Sequence, residues 1–301
     1  MFNSVDSVQQ ALNNNTYIAE RSLATAIYLS LRMQKPLFLE GEAGVGKTEV
    51  AKTLARILDT DLIRLQCYEG LDVSTALYEW NYAHQLLYLR LLEASGASRD
   101  EMQHGLFTRE FLQARPLLQA LDASASGNPP VLLIDEIDRA DEEFEAFLLE
   151  LLSDFQITIP EIGTIKAETP PVVVITSNRT REIHDALKRR CLYYWIEYPS
   201  FQKELNIVQI KAPAVKPMLA KQITAFIQEM RRMELFKSPG VAETIDWTAA
   251  LIALDQRELS PEIVQDTVGV ILKYQDDIDT LNKGSISALL DRAKLRAETE
   301  A

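Results

Sequence analysis

The sequence predicts an α/β fold, in which a parallel β-sheet of five strands precedes a smaller α-helical domain. Short runs of apolar residues without polar alternation are typical of strands buried on both faces, and a glycine-rich loop separates one such run from a helical pattern. After Pro199 only helical patterns follow. We therefore expect an α/β core over residues 1–198 and a helical domain over residues 199–301.

The composition is that of a globular chain large enough for two domains. Its 301 residues are 47% hydrophobic and 25% charged, and no run approaches the ~18 continuous apolar residues of a membrane span. The N-terminus lacks the pattern of a secretory signal, and Cys67 and Cys191 are the only cysteines, so we expect a cytoplasmic protein. The net charge of -13 argues against a general affinity for nucleic acid or anionic lipid.

The first predicted elements lead up to the glycine-rich loop. Residues 1–16 are polar and predict a loose lead-in, and a helix is expected from about Tyr17 to Met33. Residues 36–40 then form a short apolar strand, and residues 48–58 carry apolar side chains at helical spacing. The loop is therefore expected to join a strand to a helix.

The loop, Gly-Glu-Ala-Gly-Val-Gly-Lys-Thr at residues 41–48, fits G-x-x-x-x-G-K-[ST] at every fixed position. Its glycines let backbone N–H groups point at phosphate oxygens, and the helix N-terminus adds a partial positive charge. We expect Lys47 to reach the β- and γ-phosphates and the Thr48 hydroxyl to bind Mg²⁺, roles that a plain glycine turn would not need. The residues expected to contact the nucleotide are Gly41, Glu42, Ala43, Gly44, Val45, Gly46, Lys47, Thr48 and Glu49.

A helical insertion over about residues 68–110 is expected after a second strand at Leu62–Cys67. It includes an aromatic run at Tyr78–Tyr82 and a polar segment at Ala94–Gly105. Trp80 has two interpretations, which the sequence leaves open. Exposed tryptophans often anchor partner proteins, but a buried position is commoner for aromatic side chains.

Paired carboxylates follow the third apolar strand. Val131–Ile134 leads directly into Asp135 and Glu136. We expect Asp135 to orient Mg²⁺ and its water, and Glu136 to act as base or orienter for an attacking water. The alternative is a pair of capping residues at a helix start, since Asp141 and Glu142 follow closely and precede an amphipathic pattern.

A β-hairpin and a fourth strand come next. Gln156–Ile159 and Gly163–Ala167 are the predicted arms of the hairpin, and Val172–Ser177 is a strand that leads into Asn178. Ligands of open α/β sheets gather at the carboxyl ends of the strands, so Asn178 is expected beside Asp135, positioning a water near the γ-phosphate. A simple turn residue at the strand end is the alternative.

The remaining pattern completes the sheet and the helical domain. The basic run Lys188–Arg190 precedes a fifth apolar strand at Leu192–Tyr198. Ser238-Pro239 and Ser260-Pro261 are each predicted to be a helix N-cap followed by proline at the first helical position. Residues 282–301 are expected to form a polar, charged helix.

These motifs resemble those of AAA+ ATPases. Gly41–Thr48 is similar to Walker A, Val131–Glu136 to Walker B, and Asn178 to the first sensor. The insertion, the hairpin and the run Asp135–Ala140 are similar to the MoxR family. Two segments resemble the MoxR subgroup encoded beside carbon monoxide dehydrogenase and related molybdenum hydroxylases (CoxD-like), namely Cys67–Asp72 and Thr176–Glu182.

The resemblance implies an ATP-hydrolysing chaperone that forms a homo-oligomeric ring, usually a hexamer, with ATP and Mg²⁺ between neighbouring subunits. It also implies an adaptor with a von Willebrand A domain and a metalloenzyme client that is being matured. In such rings a basic residue of one subunit completes its neighbour's site. Arg190 matches the family pattern and Arg189 is the near alternative, while a solvated basic patch is the simpler interpretation.

One departure from the family pattern lies in the helical domain. The lid helix would normally carry a second-sensor arginine early in its first turn, but Gly240–Glu243 has no basic side chain. Hydrolysis that is slow or depends on a partner is therefore one expectation, and a nucleotide-controlled binding switch with little turnover is an alternative. A nucleic-acid motor is a further alternative, against which the acidic charge argues.

Overall fold

The computed structural model describes residues 2–95, 106–125, 127 and 129–299. The predicted polar segment at Ala94–Gly105 therefore lies mostly outside the described residues. Within its described part, the chain divides into two compact units. The first unit comprises Met1–Ala11, Glu20–Glu40 and Thr48–Trp195, and the second comprises Leu12–Ala19, Gly41–Lys47 and Ile196–Ala301.

The predicted parallel sheet of five strands is present. The strands of the chain are β1 Leu37–Gly41, β2 Leu62–Gln66, β3 Tyr78–Trp80, β4 Leu112–Ala114, β5 Val131–Asp135, β6 Gln156–Ile159, β7 Gly163–Lys166, β8 Val172–Ser177 and β9 Leu192–Ile196. The main sheet has the order β2-β5-β8-β1-β9, while β3 pairs with β4 and β6 with β7 in two separate two-stranded antiparallel sheets, the second of which is the predicted hairpin. Every residue of β1 and β5 is buried, as parallel strands covered on both faces require.

The register of the sheet gathers polar residues at one edge. Gln66 at the end of β2 is opposite Asp135 at the end of β5, and Glu40 of β1 is opposite Ser177 of β8. These strands are parallel, so their carboxyl ends lie on the same edge of the sheet, where ligands of α/β folds bind.

The helices up to residue 190 surround and connect these strands. They are α1 Val5–Asn14, α2 Arg21–Met33, α3 Lys47–Leu58, α4 Val73–Leu77, α5 Tyr82–Ser95, α6 Pro116–Ala125, α7 Glu142–Asp154 and α8 Asp185–Arg190, with short 3₁₀ segments at Arg109–Phe111 and Ile137–Arg139. One apolar core joins the sheet to α6 and α7, with Phe38, Ile134 and Ile175 of the strands beside Leu121 and Phe144 of the helices. The free energy gained from burying these side chains therefore holds the first unit together.

The N-terminal segment is not the loose lead-in that its polarity predicts. It forms α1, in which Val8 and Leu12 are buried, and α2 begins at Arg21 and not at Tyr17. Val5, Val8 and Leu12 are spaced three and four residues apart, which puts them on one helical face. Three anchoring apolar positions were therefore enough to fix an otherwise polar helix, and the prediction was wrong.

Trp80 lies among the insertion's own aromatic side chains. Its ring meets Phe107 edge-to-face with centroids 5.3 Å apart and Tyr78 with centroids 6.0 Å apart. The side chain is half-buried, and it packs against the apolar core of the first unit. The structure thus favours the core interpretation of Trp80 over the interface interpretation.

All regular elements described after β9 are helical, as predicted. They are α9 Phe201–Lys211, α10 Pro217–Met230, α11 Val241–Ala253, α12 Pro261–Ile271, α13 Gln275–Lys283 and α14 Ile286–Thr299. A second apolar core forms between them, with Phe226 of α10 against Trp247 of α11. The Trp247 indole Nε1 donates to Thr267 Oγ1 at 2.8 Å, so the buried indole N–H is satisfied. The predicted single helix over residues 282–301 is interrupted after Lys283, and the final helix buries Leu289 and Leu290.

One of the two predicted caps in the second unit is wrong. Ser260 does cap α12, because its hydroxyl accepts from the Ile263 N–H at 3.3 Å. Helix α11, however, begins at Val241 after Gly240, and Ser238-Pro239 lies before the cap. The Glu243 carboxylate accepts from the Gly240 N–H at 2.9 Å and does part of the capping. A Ser-Pro pair alone did not reveal that competing acceptor.

None of the helices in the described part of the chain combines the length and the apolar character that a membrane crossing requires.

We expect both cysteines to be unreactive in the folded protein. Cys67 and Cys191 are buried and free, and burial raises the pKa of each thiol from 9.0 to about 12. The charge of Asp135 adds to the effect at Cys67. Ellman's reagent at pH 8 should label neither thiol before unfolding and both in guanidinium chloride, because the thiolate is the reactive form. Rapid labelling of a native thiol would contradict this expectation.

The same pKa shifts predict how stability depends on pH. The folded state holds these two protons more tightly than the unfolded state, so their contribution is complete below pH 9.0 and is lost as the pH rises towards about 12. Denaturant titrations over this range should therefore show a falling free energy of unfolding.

Candidate functional site

Residues 41–47 of the glycine-rich loop belong to the second unit, where they contact the start of α11, while Thr48 belongs to the first unit. Gly44 and Gly46 have φ angles of 76° and 96°, a region that glycine adopts without strain. A Cβ atom at Gly44 would also lie 2.8 Å from Glu243 Oε2 and 3.2 Å from Gly240 Cα. Glycine at position 44, which the pattern itself leaves open, is therefore needed both for its conformation and for the close approach of α11.

Lys47 is held beneath the loop. Its side chain is buried, and Nζ donates to the carbonyl oxygens of Gly41 at 2.7 Å and Glu42 at 2.6 Å. Lys47 is also the first residue of α3, where the helix dipole is positive. Loop, ammonium group and helix N-terminus thus combine at one place the features that favour a bound anion.

The other predicted contact residues of this region have different surroundings. Val45 is buried, and Ala43 O lies 2.6 Å from where a Cβ atom of Gly240 would stand. Glu49 forms ion pairs on its own helix, with Arg56 at 3.0 Å and Lys52 at 3.9 Å. In this structure the Glu49 carboxylate is therefore paired with basic side chains of α3.

Asp135 is the most heavily bonded carboxylate of the first unit's site. Its Oδ1 accepts from Thr48 Oγ1 at 3.1 Å and from Thr176 Oγ1 at 2.6 Å. Arg64 donates to Oδ2 from Nε at 3.0 Å and from Nη2 at 2.6 Å. The loop's terminal threonine and the strand-end aspartate, predicted separately from two motifs, are thus in direct contact.

Glu136 follows in a left-handed backbone conformation, with φ 56° and ψ 53°. Its N–H donates to Thr176 Oγ1 at 2.9 Å. One carboxylate oxygen accepts from Asn178 Nδ2 at 3.3 Å and the other from Gln66 Nε2 at 3.0 Å. This conformation costs a non-glycine residue about 1–2 kcal/mol, which the surrounding hydrogen bonds must offset.

The capping interpretation of the carboxylate pair does not hold. The cap of α7 is Asp141, whose Oδ1 accepts from the Phe144 N–H at 2.8 Å. Glu136 precedes a 3₁₀ turn and makes no side-chain cap bond there. Both Asp135 and Glu136 point instead into the network shared with the ends of β2 and β8.

Asp138 organises the loop that carries Asn178, a role that the sequence analysis missed. The Asp138 side chain is buried and accepts from the Asn178 N–H at 3.1 Å, the Thr180 N–H at 2.9 Å and the Thr180 hydroxyl at 2.7 Å. Arg179, between them, has a φ of 58°. The available signal was an acidic residue between Ile137 and Arg139, three positions after the strand-end Asp135.

The basic run on α8 separates into two kinds of side chain. Lys188 turns inward, with Nζ 3.8 Å from Glu40 Oε1 and over the ring of Phe38. Arg189 and Arg190 are exposed. The two candidate arginines are therefore accessible, whereas the lysine is engaged in the first unit.

The start of α11 has no basic side chain, as the sequence indicated. Its first residues include Glu243, and the Ala242 N–H donates to Gly44 O at 3.2 Å. The arginine before this helix, Arg231, pairs with the buried Glu204 at 2.7 Å and donates to Pro239 O at 2.7 Å. Arg231 is thus committed to the second unit's interior.

The oxygen atoms in the first unit suit Mg²⁺. Thr48 and Asp135 offer a hydroxyl and a carboxylate in contact with each other. Among the residues that the structure describes, there is no group of three or more His, Cys, Asp or Glu side chains placed to hold a metal. Mg²⁺ is commonly bound through one or two carboxylates together with substrate phosphates, so this small donor set fits it.

A family model described as "AAA domain (dynein-related subfamily)" matches residues 36–191, slightly more than half of the chain. Among curated proteins, an uncharacterised protein of Staphylococcus aureus (strain bovine RF122 / ET3-1) is 25% identical over 229 residues, 74% of this chain and 77% of the relative. A second, from strain NCTC 8325 / PS 47, is 24% identical over the same shares. The RuvB Holliday junction branch migration motor of Thermotoga maritima superposes with a TM-score of 0.47 and 18% identity, over 95% of this chain and 83% of that one.

We predict that Asp138→Asn loosens the loop at residues 178–180 without unfolding the first unit. In the variant one carboxylate oxygen becomes an NH₂ group that cannot accept from its backbone amide, and the bond to the other oxygen loses its charge; hydrogen bonds to charged groups are worth about 1.5–3 kcal/mol. Hydrogen–deuterium exchange of this loop should accelerate by roughly 10–100-fold.

Asp141→Asn is the matched control. It changes a carboxylate that caps α7 through the Phe144 N–H, so its effect should appear at the start of α7 and leave residues 178–180 unchanged. Equal exchange rates for residues 178–180 in wild type and Asp138→Asn would show that the Asp138 carboxylate does not hold this loop.

Proposed function

Because the chain belongs to the dynein-related AAA domain family, we propose that it binds ATP with Mg²⁺ and hydrolyses it to ADP and phosphate. The observation that carries this proposal is the contact of Thr48 with Asp135, at 3.1 Å, next to a Glu136 carboxylate held by Asn178 and Gln66. Metal-orienting and water-orienting groups are thus adjacent at the ligand-binding edge of the sheet.

Nucleotide binding would rest on the loop and its helix. Backbone N–H groups of residues 41–47 and the N-terminus of α3 favour the triphosphate, and Lys47 would exchange its carbonyl partners for phosphate oxygens. Thr48 and Asp135 would hold Mg²⁺, which when bound neutralises charge on the phosphates. The buried position of Lys47 keeps its ammonium aimed at the loop before any nucleotide arrives.

Hydrolysis would depend on Glu136. The left-handed backbone turns its carboxylate away from the line of β5, and Asn178 and Gln66 each donate to one of its oxygens. A carboxylate held in this way can orient a water molecule and accept its proton as it attacks the γ-phosphate. Asp138 would act indirectly, through the position of Asn178.

Glu136→Gln should bind ATP with wild-type affinity and lose most of its turnover. The amide keeps the shape of the side chain but cannot accept a proton, and general-base contributions are on the order of 10²–10⁴-fold. Phosphate release at saturating ATP measures the turnover, and calorimetry with a non-hydrolysable analogue measures the affinity. Glu142→Gln, an exposed glutamate on α7, is the matched control and should leave both unchanged.

Lys47→Ala should behave differently, with a large loss of nucleotide affinity, because it removes the cation of the loop.

Wild-type turnover in a Glu136→Gln protein that still binds nucleotide would refute the role assigned to Glu136.

We further propose that the chain acts as a ring, in which Arg190 of each subunit completes the nucleotide site of its neighbour. The exposure of Arg189 and Arg190 supports this, since an arginine that acts on a neighbour must be accessible. A guanidinium group binds phosphate oxygens through two parallel hydrogen bonds, which the ammonium group of Lys188 cannot form. Lys188 is also paired with Glu40 in its own subunit.

Arg190→Ala should bind ATP normally and lose roughly 10³–10⁵-fold in turnover, the range measured for arginine fingers. Mixing it with Lys47→Ala should restore part of the activity, because Lys47→Ala subunits would supply Arg190 to intact nucleotide loops. Arg189→Ala is the matched control and should keep its turnover. If co-assembled mixtures stay inactive, Arg190 does not act between subunits.

We propose the process that hydrolysis drives from the resemblance to MoxR proteins. On that basis the ring remodels a client protein, a metalloenzyme during maturation, through an adaptor with a von Willebrand A domain. Capture from the native host with the Glu136→Gln protein, held in its ATP-bound form, tests this proposal. Recovery of no protein beyond the chain itself would count against a chaperone role.

A nucleotide-controlled switch with little turnover is the second candidate, and the start of α11 favours it. Where a second-sensor arginine would contact the γ-phosphate, the helix presents Glu243, whose Oε2 lies 2.8 Å from the Cβ position of Gly44. Steady-state phosphate release separates the candidates, because only the ATPase would turn over continuously at saturating ATP.

A further inference from the structure

Arg64 on β2 is ion-paired with the carboxylate assigned to Mg²⁺. Its Nε and Nη2 atoms donate to Asp135 Oδ2 at 3.0 and 2.6 Å. The Asp135 side chain is 3% exposed, whereas that of Arg64 is 49% exposed. The pair therefore joins a fixed, buried anion to a cation that can reach water.

The two oxygens of Asp135 have different kinds of partner. Oδ1 accepts from the hydroxyls of Thr48 and Thr176, which are neutral and lie on the elements that position the carboxylate. Oδ2 accepts two shorter bonds from the guanidinium group of Arg64, and the Thr48 hydroxyl lies 3.4 Å from it. A buried carboxylate without a counter-charge is costly, so Arg64 supplies the charge that stabilises Asp135 before a metal binds.

We propose that Arg64 is a positioning residue: in the nucleotide-free protein its guanidinium group takes the place of Mg²⁺ as the counter-charge of Asp135. This inference rests on the proposed function. The site therefore binds Mg²⁺ more weakly than it would without Arg64. The metal and the guanidinium compete for the same carboxylate and repel each other, and either effect lowers metal affinity. Arg64 itself does not ligate the metal.

The Arg64 side chain can leave Asp135 without losing all of its partners. Its Nη2 also donates to Gln66 Oε1, and half of its side chain is already exposed. Leaving Asp135 would not leave the guanidinium buried and unpaired. The hydroxyls of Thr48 and Thr176 would meanwhile keep the carboxylate in place through Oδ1.

The charge of Arg64 has the opposite effect on the nucleotide. A positive charge beside the site attracts the triphosphate, while it repels Mg²⁺. Removal of Arg64 should therefore weaken nucleotide binding in the absence of metal and lower the Mg²⁺ concentration that is needed to restore it. A general structural disturbance would weaken metal-free nucleotide binding and also raise the Mg²⁺ concentration required. A lower Mg²⁺ requirement together with weaker metal-free binding therefore distinguishes the charge effect from such a disturbance.

The test is calorimetric titration of the full chain with the non-hydrolysable analogue AMP-PNP, in EDTA and at a series of Mg²⁺ concentrations. For Arg64→Gln we expect metal-free affinity to fall by a few-fold and the half-saturating Mg²⁺ concentration to fall by roughly ten-fold. Circular dichroism establishes that the variant is folded. No hydrolysis is needed for either readout.

Arg109→Gln is the matched control, because Arg109 is also half-exposed and paired with a carboxylate, that of Asp122, outside the nucleotide site. It should leave both affinities unchanged. Arg64→Lys keeps the charge but loses the paired donors, so its Mg²⁺ requirement should lie between wild type and Arg64→Gln. It also serves as the test if Arg64→Gln does not fold.

An unchanged or raised Mg²⁺ requirement in folded Arg64→Gln would overturn the inference, the second result meaning that Arg64 holds Asp135 ready for the metal. These outcomes leave the proposed function intact, because wild type still binds the analogue with Mg²⁺. Failure of wild-type protein to bind AMP-PNP under any condition would instead defeat the proposed function, and this inference with it.

Discussion

The hydrogen bond from Thr48 to Asp135 is the contact on which the site depends. Thr48 lies in the first turn of α3 and Asp135 at the end of β5, and Thr176 of β8 donates to the same carboxylate oxygen. One buried acceptor thus fixes the start of a helix against the ends of two strands. Charge-assisted bonds of this kind are strong in a buried setting, so the arrangement is set before any ligand binds.

The rest of the first unit's site follows from that contact. Glu136 comes next in the chain and takes a left-handed conformation, which its N–H bond to Thr176 helps to maintain. Three residues after Asp135, the Asp138 carboxylate accepts from two amides of the loop that follows β8, and so sets the position of Asn178. A short acidic segment therefore supplies both the carboxylates at the end of β5 and the support that positions Asn178 beside them.

Much of this could be predicted because the relevant signals are local. The five strands were visible as apolar runs, and the loop at residues 41–48 as a pattern whose every position has a steric or electrostatic reason. The carboxyl ends of parallel strands share an edge, so the sequence predicted Asn178 beside Asp135, and in the structure the Asn178 amide donates to the adjacent Glu136. Prediction failed where two local signals competed. The polar composition of residues 1–16 outweighed the apolar spacing that forms α1, and Ser238-Pro239 was taken for the helix cap that Gly240 and Glu243 provide.

The sequence by itself determined the fold class, the glycine-rich loop and the paired carboxylates, because each depends on residues that are neighbours in the chain. Only the tertiary structure decided which side chains surround those carboxylates. Arg64 and Gln66 reach Asp135 and Glu136 because β2 lies beside β5 in a particular register, and nothing in their own segment indicates that register. Strand order and register arise from packing across the whole sheet, so the partners of a buried charge cannot be derived from local pattern alone.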